Sequence, residues 1–367
     1  MRKLFGILFT LVLCASTVSC MNKTSPTTTS EDIPNPPGWT EQDSPSVSGA
    51  LNAIWGTSSS DVFTVGNAGA IIHYNGHEWK SMASGTNSPL YGVWGSSPSD
   101  VFAVGQSGTI VHYNGKEWSQ MQSNTTGYFS GVWGSSPTDV YAVFGGSLIQ
   151  HYDGKTWSAM PISLPGNQSV FISNIWGTSS SDIFTVGSGG TILHYDGNAW
   201  SIMNSGTSYQ LQGLWGTSSS DVFAVGSGGT ILRYDGNAWS SMDSGTSYQL
   251  LGVGGTSTSD VFAVGSGGTI LHYDGNAWSS MDSGNSDLQK GIWGSSPSDI
   301  FVVGFYSATG SADIILHYDG RTWSNMTTDT EVYTLFNGVW GNSPSDVFAV
   351  GGTQGGAKSI ILHYAGE

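Results

Sequence analysis

The chain has 367 residues, of which 53 are Gly, 15 are Trp and 10% are charged. Its 38% hydrophobic and 12% aromatic content is enough to build a core and excludes a fully disordered chain. Lys and Arg total 10 against 26 Asp and Glu, which gives a formal net charge of −16. No basic cluster follows the first three residues, so the basic surface of a nucleic-acid-binding protein is excluded.

Residues 1–19 predict a lipoprotein signal peptide. Arg2 and Lys3 precede an apolar run of about 12 residues, too short for a bilayer, where about 20 are needed. The T-V-S-C segment that ends at Cys20 resembles the bacterial lipobox, although Thr17 stands where Leu is usual. The resemblance implies cleavage before Cys20 and lipidation of Cys20, palmitate included. The alternative is ordinary secretion with an incidental Cys.

Residues 20–37 predict an extended tether, because they are rich in Ser, Thr and Pro. Cys14 lies in the signal peptide, so the mature chain has one Cys and no disulfide. We therefore expect a lipid-anchored protein of the bacterial cell envelope, at the outer membrane. The sequence leaves open whether it faces the periplasm or the cell surface.

Residues 38–367 consist of one unit repeated eight times, which reads G-V-W-G-S-S-P-S-D-V-F-A-V-G-x-x-G-T-I-L-H-Y-D-G-x-x-W-S-x-M. Its first Trp recurs every 39 to 47 residues and is replaced once by Gly. These positions are Trp55, Trp94, Trp133, Trp176, Trp215, Gly254, Trp293 and Trp340. Such a period indicates a repeat architecture rather than several unrelated domains.

Each unit contains four short apolar runs separated by Gly, Ser, Pro and Asp. In the second unit these are Leu90–Trp94, Asp100–Gly105, Thr109–Tyr113 and Glu117–Met121, which predict strands. The second run is apolar without alternation, which is typical of a strand covered on both faces. The pattern predicts an all-β fold, an eight-bladed β-propeller of four-stranded antiparallel blades. The alternative is an open β-solenoid.

The two ends of the chain favour the closed propeller. Trp39 precedes Trp55 by 16 residues, close to the 15-residue step from an outer-strand Trp to the next inner-strand Trp. The last unit stops at residues 363–367, where its fourth strand should begin. We expect the N-terminal segment Gly38–Val47 to complete the last blade, which would remove an exposed sheet edge.

The W-G-S-S-P-S-D-V-F-A-V-G segments resemble repeats of bacterial β-propeller lipoproteins. The Y-D-G-x-x-W turn is similar to the sialidase Asp-box, although one residue shorter between Asp and Trp, and to kelch repeats. The resemblance covers residues 38–367. It implies the propeller fold and little about activity.

A His or Arg in the third strand of each unit recurs with an Asp at the start of the second strand. Because these strands form a hairpin, we expect the two positions to face each other as a structural Asp–His⁺ or Asp–Arg pair. The Trp-Asp repeat family uses a similar arrangement. The pairs are Asp61 with His73, Asp100 with His112, Asp139 with His151, Asp182 with His194, Asp221 with Arg233, Asp260 with His272, Asp299 with His317, and Asp346 with His363.

The recurrent His residues do not predict a metal site, because third strands of adjacent blades should lie about 10 Å or more apart, whereas zinc ligands lie about 2 Å from the metal. The V-G-S-G-G-T segments lack the helix and Lys of a phosphate loop and predict hairpin turns. His77 lies outside the pattern and is expected to be solvated. We expect no cofactor and no metal.

Catalytic motifs are missing from the sequence. The mature chain has only Arg233 and Arg321, so a sialidase arginine triad is not present. The patterns G-x-S-x-G, H-E-x-x-H and C-x-x-C do not occur. A pair of acids for glycoside cleavage stays open, because eight recurrent Asp offer many spacings. We expect a protein that is not an enzyme.

Insertions between units fall in the second-to-third loops and in the connections between units, at residues 160–174, 305–313, 326–337 and 352–358. In a propeller these segments emerge on one face, and loops that tolerate insertions on a rigid scaffold usually carry function. The alternative is that their aromatic residues only cap the inner strands. The candidate binding residues are Tyr91, Tyr128, Phe129, Phe171, Tyr209, Tyr248, Tyr306 and Tyr333.

Two functional classes fit these observations. The first is a membrane-anchored, extracytoplasmic binding or scaffold module for envelope proteins, similar to the propeller lipoprotein of the outer-membrane barrel-assembly machinery. The second is a glycan-binding surface lipoprotein, for neutral sugars because the acidic charge disfavours polyanions. No nucleic-acid partner is expected.

Overall fold

The computed structural model describes residues 38–145, 148–162, 170–305, 314–326, 328 and 334–366. These residues form eight four-stranded sheets, and every strand pairing is antiparallel. Inner strands of successive blades contact each other, and the first also contacts the last, which closes the ring. The predicted eight-bladed propeller is confirmed. The predicted signal peptide and tether lie outside the described residues.

Blades are numbered 1 to 8 by the order of their inner strands in the chain. The inner strands are β2 (Leu51–Ser58), β6 (Leu90–Ser97), β10 (Phe129–Ser136), β14 (Ile172–Ser179), β18 (Leu211–Ser218), β22 (Leu250–Ser257), β26 (Leu288–Ser296) and β30 (Thr334–Ser343). The second strands are β3 (Asp61–Gly66), β7 (Asp100–Gly105), β11 (Asp139–Phe144), β15 (Asp182–Gly187), β19 (Asp221–Gly226), β23 (Asp260–Gly265), β27 (Asp299–Phe305) and β31 (Asp346–Thr353).

The outer half of each blade is built from two further strands. The third strands are β4 (Ile71–Tyr74), β8 (Ile110–Tyr113), β12 (Leu148–Tyr152), β16 (Ile192–Tyr195), β20 (Ile231–Tyr234), β24 (Ile270–Tyr273), β28 (Ile314–Tyr318) and β32 (Ser359–Ala365). The outer strands are β5 (Trp79–Ser81), β9 (Trp118–Met121), β13 (Trp157–Met160), β17 (Trp200–Met203), β21 (Trp239–Met242), β25 (Trp278–Met281), β29 (Trp323–Asn325) and β1 (Gly38–Glu41).

The N-terminal strand completes blade 8, as the sequence predicts. β1 pairs with β32, and Trp39 lies opposite Tyr364. The strand covers only Gly38–Glu41 of the expected segment Gly38–Val47. Trp39 is 2% exposed, so this residue near the start of the described chain is part of the core.

The hydrophobic core lies between blades. In β7, alternate side chains point to the two neighbouring blades, and Val101, Phe102, Ala103 and Val104 are all fully buried. Val101 and Ala103 pack against blade 1, whereas Phe102 and Val104 pack against blade 3. Both faces of the second strand are therefore covered, which accounts for its apolar sequence without alternation.

Among the described residues, short 3-10 turns join the second and third strands of five blades. The middle residue of each turn has a positive φ, which favours Gly and is tolerated by Ala68 and Ser107. At the following Gly108, a Cβ atom would lie 1.9 Å from Thr125 O, so this position requires Gly. The turns are Asn67–Gly69, Gln106–Gly108, Ser188–Gly190, Ser227–Gly229 and Ser266–Gly268.

Candidate binding surface

The two ends of each blade carry different chemistry. The last residue of β7, Gly105, pairs with the first residue of β6, Leu90. The second-to-third turns and the connections between blades therefore share one end of the ring, which we call the connection face. Asp100, the first residue of β7, pairs with Ser97 near the end of β6. The opposite end, with the first-to-second loops and third-to-fourth turns, is called the loop face.

Asp and His residues on the loop face are hydrogen-bonded within each blade. In the seven blades that contain His, His Nε2 lies 2.7 to 2.9 Å from Asp Oδ1. The expected register is wrong, because His73 lies opposite Phe63 rather than Asp61. Asp61 and Phe63 are two residues apart and share a side of the strand, so the His73 ring stacks on Phe63 at 4.1 Å while its Nε2 reaches Asp61 diagonally.

A hydroxyl group donates a hydrogen bond to the second oxygen of most of these carboxylates. Thr57 Oγ1 donates to Asp61 Oδ2 at 2.7 Å, and the Ser or Thr four residues before Asp does the same in the next six blades. The carboxylate therefore lies between the hydroxyl and His73. Because a nucleophilic hydroxyl must donate to its general base, this order does not form a Ser–His–Asp relay.

Blade 5 replaces His with Arg233, which makes more contacts than the His residues. Its Nε donates to Asp221 Oδ1 at 2.7 Å, and its Nη1 donates to the Tyr273 hydroxyl of blade 6 at 3.1 Å. The guanidinium also lies over the rings of Phe223 and Tyr273, at 5.3 and 5.7 Å. Arg233 therefore links two blades as well as two strands.

Six carboxylates of the loop face have a lowered pKa: Asp139 and five Asp residues of the third-to-fourth turns. Burial acts to raise the pKa of Asp139, but hydrogen bonds from His151, Ser135 and Tyr141 outweigh it and lower the pKa below its ordinary value. In the third-to-fourth turns, backbone N–H groups donate to Asp carboxylates and lower their pKa values in the same direction. These turn residues are Asp153, Asp196, Asp235, Asp274 and Asp319.

The connection face carries most of the exposed large hydrophobic side chains. In the described part of the chain five such residues are exposed, and four of them are Tyr on this face. Tyr209 and Tyr248 are 56% exposed, and Tyr91 and Tyr128 are 37% exposed. The fifth, Ile202, lies on the outer strand β17. Exposed aromatic residues concentrated on one face are typical of a binding surface.

Two of the other candidates differ from expectation, and two cannot be placed. Phe129 is fully buried, because it occupies the repeat position four residues before the inner-strand Trp, which Leu51 and Leu90 also fill with fully buried side chains. This comparison of units identifies it as a core residue. Phe171 is half-buried. Tyr306 and Tyr333, together with most of the inserted loops, lie outside the described residues.

Three aromatic residues form a continuous group, the aromatic arc, made of Tyr91, Tyr128 and Phe171. The ring centroids of Tyr91 and Tyr128 are 6.3 Å apart at a T-shaped angle, and those of Tyr128 and Phe171 are 5.8 Å apart. The arc therefore crosses blades 2, 3 and 4. Each ring restricts its neighbour, so the arc presents a surface that loses little conformational entropy when a ligand binds.

Tyr209 and Tyr248 occupy the same repeat position in blades 5 and 6, and each ring lies over a Gly of the adjacent turn. A Cβ atom at Gly228 would lie 3.1 Å from Tyr209 Cε1, and one at Gly267 would lie 2.8 Å from Tyr248 Cε1. The Gly residues therefore allow the rings to lie close to the backbone. The two units present the same local surface twice.

Sequence reasoning missed a chain of polar contacts at the start of the inner strands. Lys290 Nζ donates to Asn337 Oδ1 at 2.8 Å, and Asn337 Nδ2 donates to Leu51 O at 2.9 Å. Desolvation lowers the pKa of Lys290, although its surface is partly exposed. The sequence contains one signal for these contacts. Lys290 and Asn337 occupy the same repeat position, which varies between units and is followed directly by a residue that is Gly in six of the eight units. These contacts tie blades 7, 8 and 1 together.

Within the described residues, no three His, Cys, Asp or Glu side chains come together as metal ligands. His77 is exposed, and its backbone N–H donates to Asn75 Oδ1 at 3.0 Å. The part of the chain that the structure describes contains no helix long and apolar enough to cross a membrane.

Comparison with solved structures places the chain among proteins of the same fold. YCF48 bound to D1 peptide is 16% identical with a TM-score of 0.57, over 90% of this chain and 97% of that one. The computationally designed Ika8 protein is 14% identical with a TM-score of 0.70, over 89% and 99% of the two chains. Chaetomium thermophilum Sqt1 bound to the N-terminus of ribosomal protein L10 is 13% identical with a TM-score of 0.68, over 89% and 99%.

These similarities concern the fold alone, since every identity is low. No family model matches the chain, and no curated protein matches its sequence. Membership of a family of propeller lipoproteins therefore stays a prediction.

Proposed function

We propose that this protein is a lipid-anchored, non-catalytic binding module of the bacterial cell envelope, which holds an extended segment of a protein partner on its connection face. The aromatic arc carries this proposal. Tyr91 and Tyr128 are exposed on a rigid scaffold and support each other through a T-shaped contact. Tyr side chains of this kind dominate the binding energy of many protein interfaces.

The charge of the protein favours a particular partner. With a net charge of −16, the chain attracts basic segments and repels acidic ones. Aromatic rings also bind Lys and Arg side chains through cation–π contacts. The expected ligand is therefore a segment with basic and apolar side chains.

Two solved structures of the same fold support a peptide as the ligand. YCF48 was solved with D1 peptide, and Sqt1 with the N-terminus of ribosomal protein L10. One of these ligands is a peptide and the other is the N-terminus of a protein. The Asp–His and Asp–Arg pairs of the loop face are assigned a structural role, because both carboxylate oxygens are already hydrogen-bonded in blades 1 to 7.

The proposed surface is tested by photo-crosslinking in the cells that produce the full-length protein. p-Benzoylphenylalanine replaces Tyr128 on the connection face or, as a matched control, the exposed Ser99 on the loop face. A protein adduct from position 128 that is missing from position 99 is expected. Equal adducts from both positions, or none from position 128, would contradict the proposal.

The proposed anchor is tested separately through Cys20. The variant Cys20→Ser should leave the membrane fraction and lose incorporation of labelled palmitate, because one Cys carries the lipid. A variant that stays membrane-bound to the same extent would show that Cys20 is not the anchor. This outcome leaves the crosslinking result unaffected, so the two parts of the proposal are judged independently.

A further inference from the structure

We propose that Tyr209 and Tyr248 each form the platform of a binding site for one pyranose ring of a neutral glycan, so that blades 5 and 6 carry two equivalent sugar sites. These residues are the most exposed large hydrophobic side chains in the described part of the chain, at 56% each. They lie outside the aromatic arc, in blades that follow it around the ring. The inference therefore goes beyond the protein-binding function proposed above.

The geometry of each platform fits a flat ligand. Gly228 lies beneath Tyr209 and Gly267 beneath Tyr248, and a Cβ atom at either Gly would lie 3.1 or 2.8 Å from the ring. Each ring thus lies close to the backbone of a Gly, and its 56% exposure leaves ring surface for a ligand. The apolar face of a pyranose stacks on such a ring, as other flat apolar groups do.

Tyr248 lies at a groove with mostly polar lining residues. A groove of about 490 Å³ is lined by Tyr248, Thr269, Asp282 and Asn285 among other residues, and none of its lining residues is Lys, Arg or His. Asp282 Oδ1 accepts a hydrogen bond from Gly284 N–H at 2.9 Å. An ionised carboxylate can accept about four, so Asp282 can also accept from sugar hydroxyl groups.

The composition of the groove selects the class of ligand. A protein segment that docks in a groove normally buries apolar side chains, but this groove is lined mostly by Gly, Ser, Thr, Asp and Asn. A phosphate or sulfate group would meet Asp282 and the negative field of the protein. A neutral sugar matches both features, since it offers hydroxyl groups and one apolar face.

The site recurs because the units recur. Asp243 Oδ1 accepts from Gly245 N–H at 3.0 Å, as Asp282 does from Gly284. Thr207 Oγ1 accepts from Tyr209 N–H at 3.1 Å, and the same contact joins the next pair, Thr246 and Tyr248. Two weak sites on one rigid body bind a polymer with repeated sugars more tightly than either site alone.

The test uses saturation-transfer NMR with the full-length protein and three neutral probes: cellotetraose, chitotetraose and maltotetraose. Transfer to at least one probe is expected from the wild type. Tyr209→Ala and Tyr248→Ala should each reduce it, and the double variant should weaken binding by about tenfold or more, because the stacking surface is lost. The double variant with Phe at both positions keeps the rings and should keep binding.

Controls separate this site from a folding defect and from the aromatic arc. Ile202→Ala removes an exposed hydrophobic residue elsewhere and should bind the sugar probes as the wild type does. The double variant Tyr91→Ala with Tyr128→Ala should also bind them as the wild type does. No transfer to any of the three probes would overturn the proposal, and so would unchanged binding by the Tyr209→Ala and Tyr248→Ala double variant. Transfer to a basic peptide that is lost in this double variant, without sugar binding, would assign these residues to the protein partner instead.

Discussion

The indole N–H of Trp39 donates to Met326 Sδ at 3.1 Å, across 287 positions of sequence. The contact joins the N-terminal strand of blade 8 to blade 7. Six other blades make the same contact with the blade before them, from Trp118 to Met82, Trp157 to Met121, Trp200 to Met160, Trp239 to Met203, Trp278 to Met242 and Trp323 to Met281. Strand β1, which comes from the N-terminal part of the chain, therefore makes the same contact with the preceding blade as six of the other outer strands.

The eighth Trp lacks this contact, which leads to a first prediction. Trp79 Nε1 is buried and has no partner among the described residues. In blade 8, Gln42 stands at the repeat position that Met82 fills in blade 1. The backbone N–H of Gln42 donates to Ile361 O, just as the backbone N–H of Met82 donates to Ile71 O. Gln42→Met should supply the sulfur acceptor and stabilise the fold by about 0.5–1 kcal/mol in urea unfolding. Gln42→Leu is the control without an acceptor, and an equal gain there would contradict the explanation.

A second prediction concerns the carboxylate of blade 8. Asp346 Oδ2 is buried and has no partner in the described part of the chain, since Asn342 stands where other blades have Ser or Thr. Asn342→Ser should restore the hydrogen bond that Ser295 donates to Asp299 in blade 7. We expect the free energy of unfolding to rise by about 1 kcal/mol. Asn342→Ala serves as the control, and no difference between the two variants would count against the assignment.

The Asp–His pair of blade 2 gives a third prediction. His112 Nε2 lies 2.7 Å from Asp100 Oδ1, and both side chains are largely buried. A double-mutant cycle of His112→Ala and Asp100→Asn should give a coupling free energy of about 0.5–3 kcal/mol. The same cycle with His77→Ala in place of His112→Ala should show no coupling, because His77 is exposed in a turn. Additive effects in the first cycle would show that His112 and Asp100 do not stabilise the fold as a pair.

A fourth prediction concerns acid stability. Because the folded-state pKa of Asp139 is lowered, its ionised form stabilises the fold above the unfolded-state pKa of about 3.9. This contribution is lost as the pH falls through the folded-state value. Tyr141→Phe removes a group that lowers this pKa, so the contribution should be smaller and its loss should be complete at a higher pH. Thermal melts at a series of acidic pH values measure this change in the pH dependence of stability. The control makes Tyr141→Phe in the Asp139→Asn background, where it should not change the pH dependence.

The repeat made the strands, the ring and its closure predictable from sequence, because each unit needs two neighbours to bury its second strand. Trp39 was the decisive residue, since it continued the outer-strand pattern at the opposite end of the chain. The diagonal register of Asp61 and His73 was not predictable, because it depends on the geometry of the turn between their strands. The exposure of Tyr128 beside buried Phe129 depends on where strand β10 begins, although comparison with Leu51 and Leu90 assigns Phe129 to the core.

The aromatic arc is tested most directly by measuring binding and stability on the same variant. The ligand is a peptide from the protein captured at position 128, and fluorescence polarisation gives its affinity for the full-length chain. The double variant Tyr91→Ser with Tyr128→Ser should bind at least about tenfold more weakly, because two exposed rings are removed. Its melting temperature should stay within about 2 °C of the wild type, since neither ring belongs to the core. Unchanged affinity in a variant with an unchanged melting temperature would contradict the account.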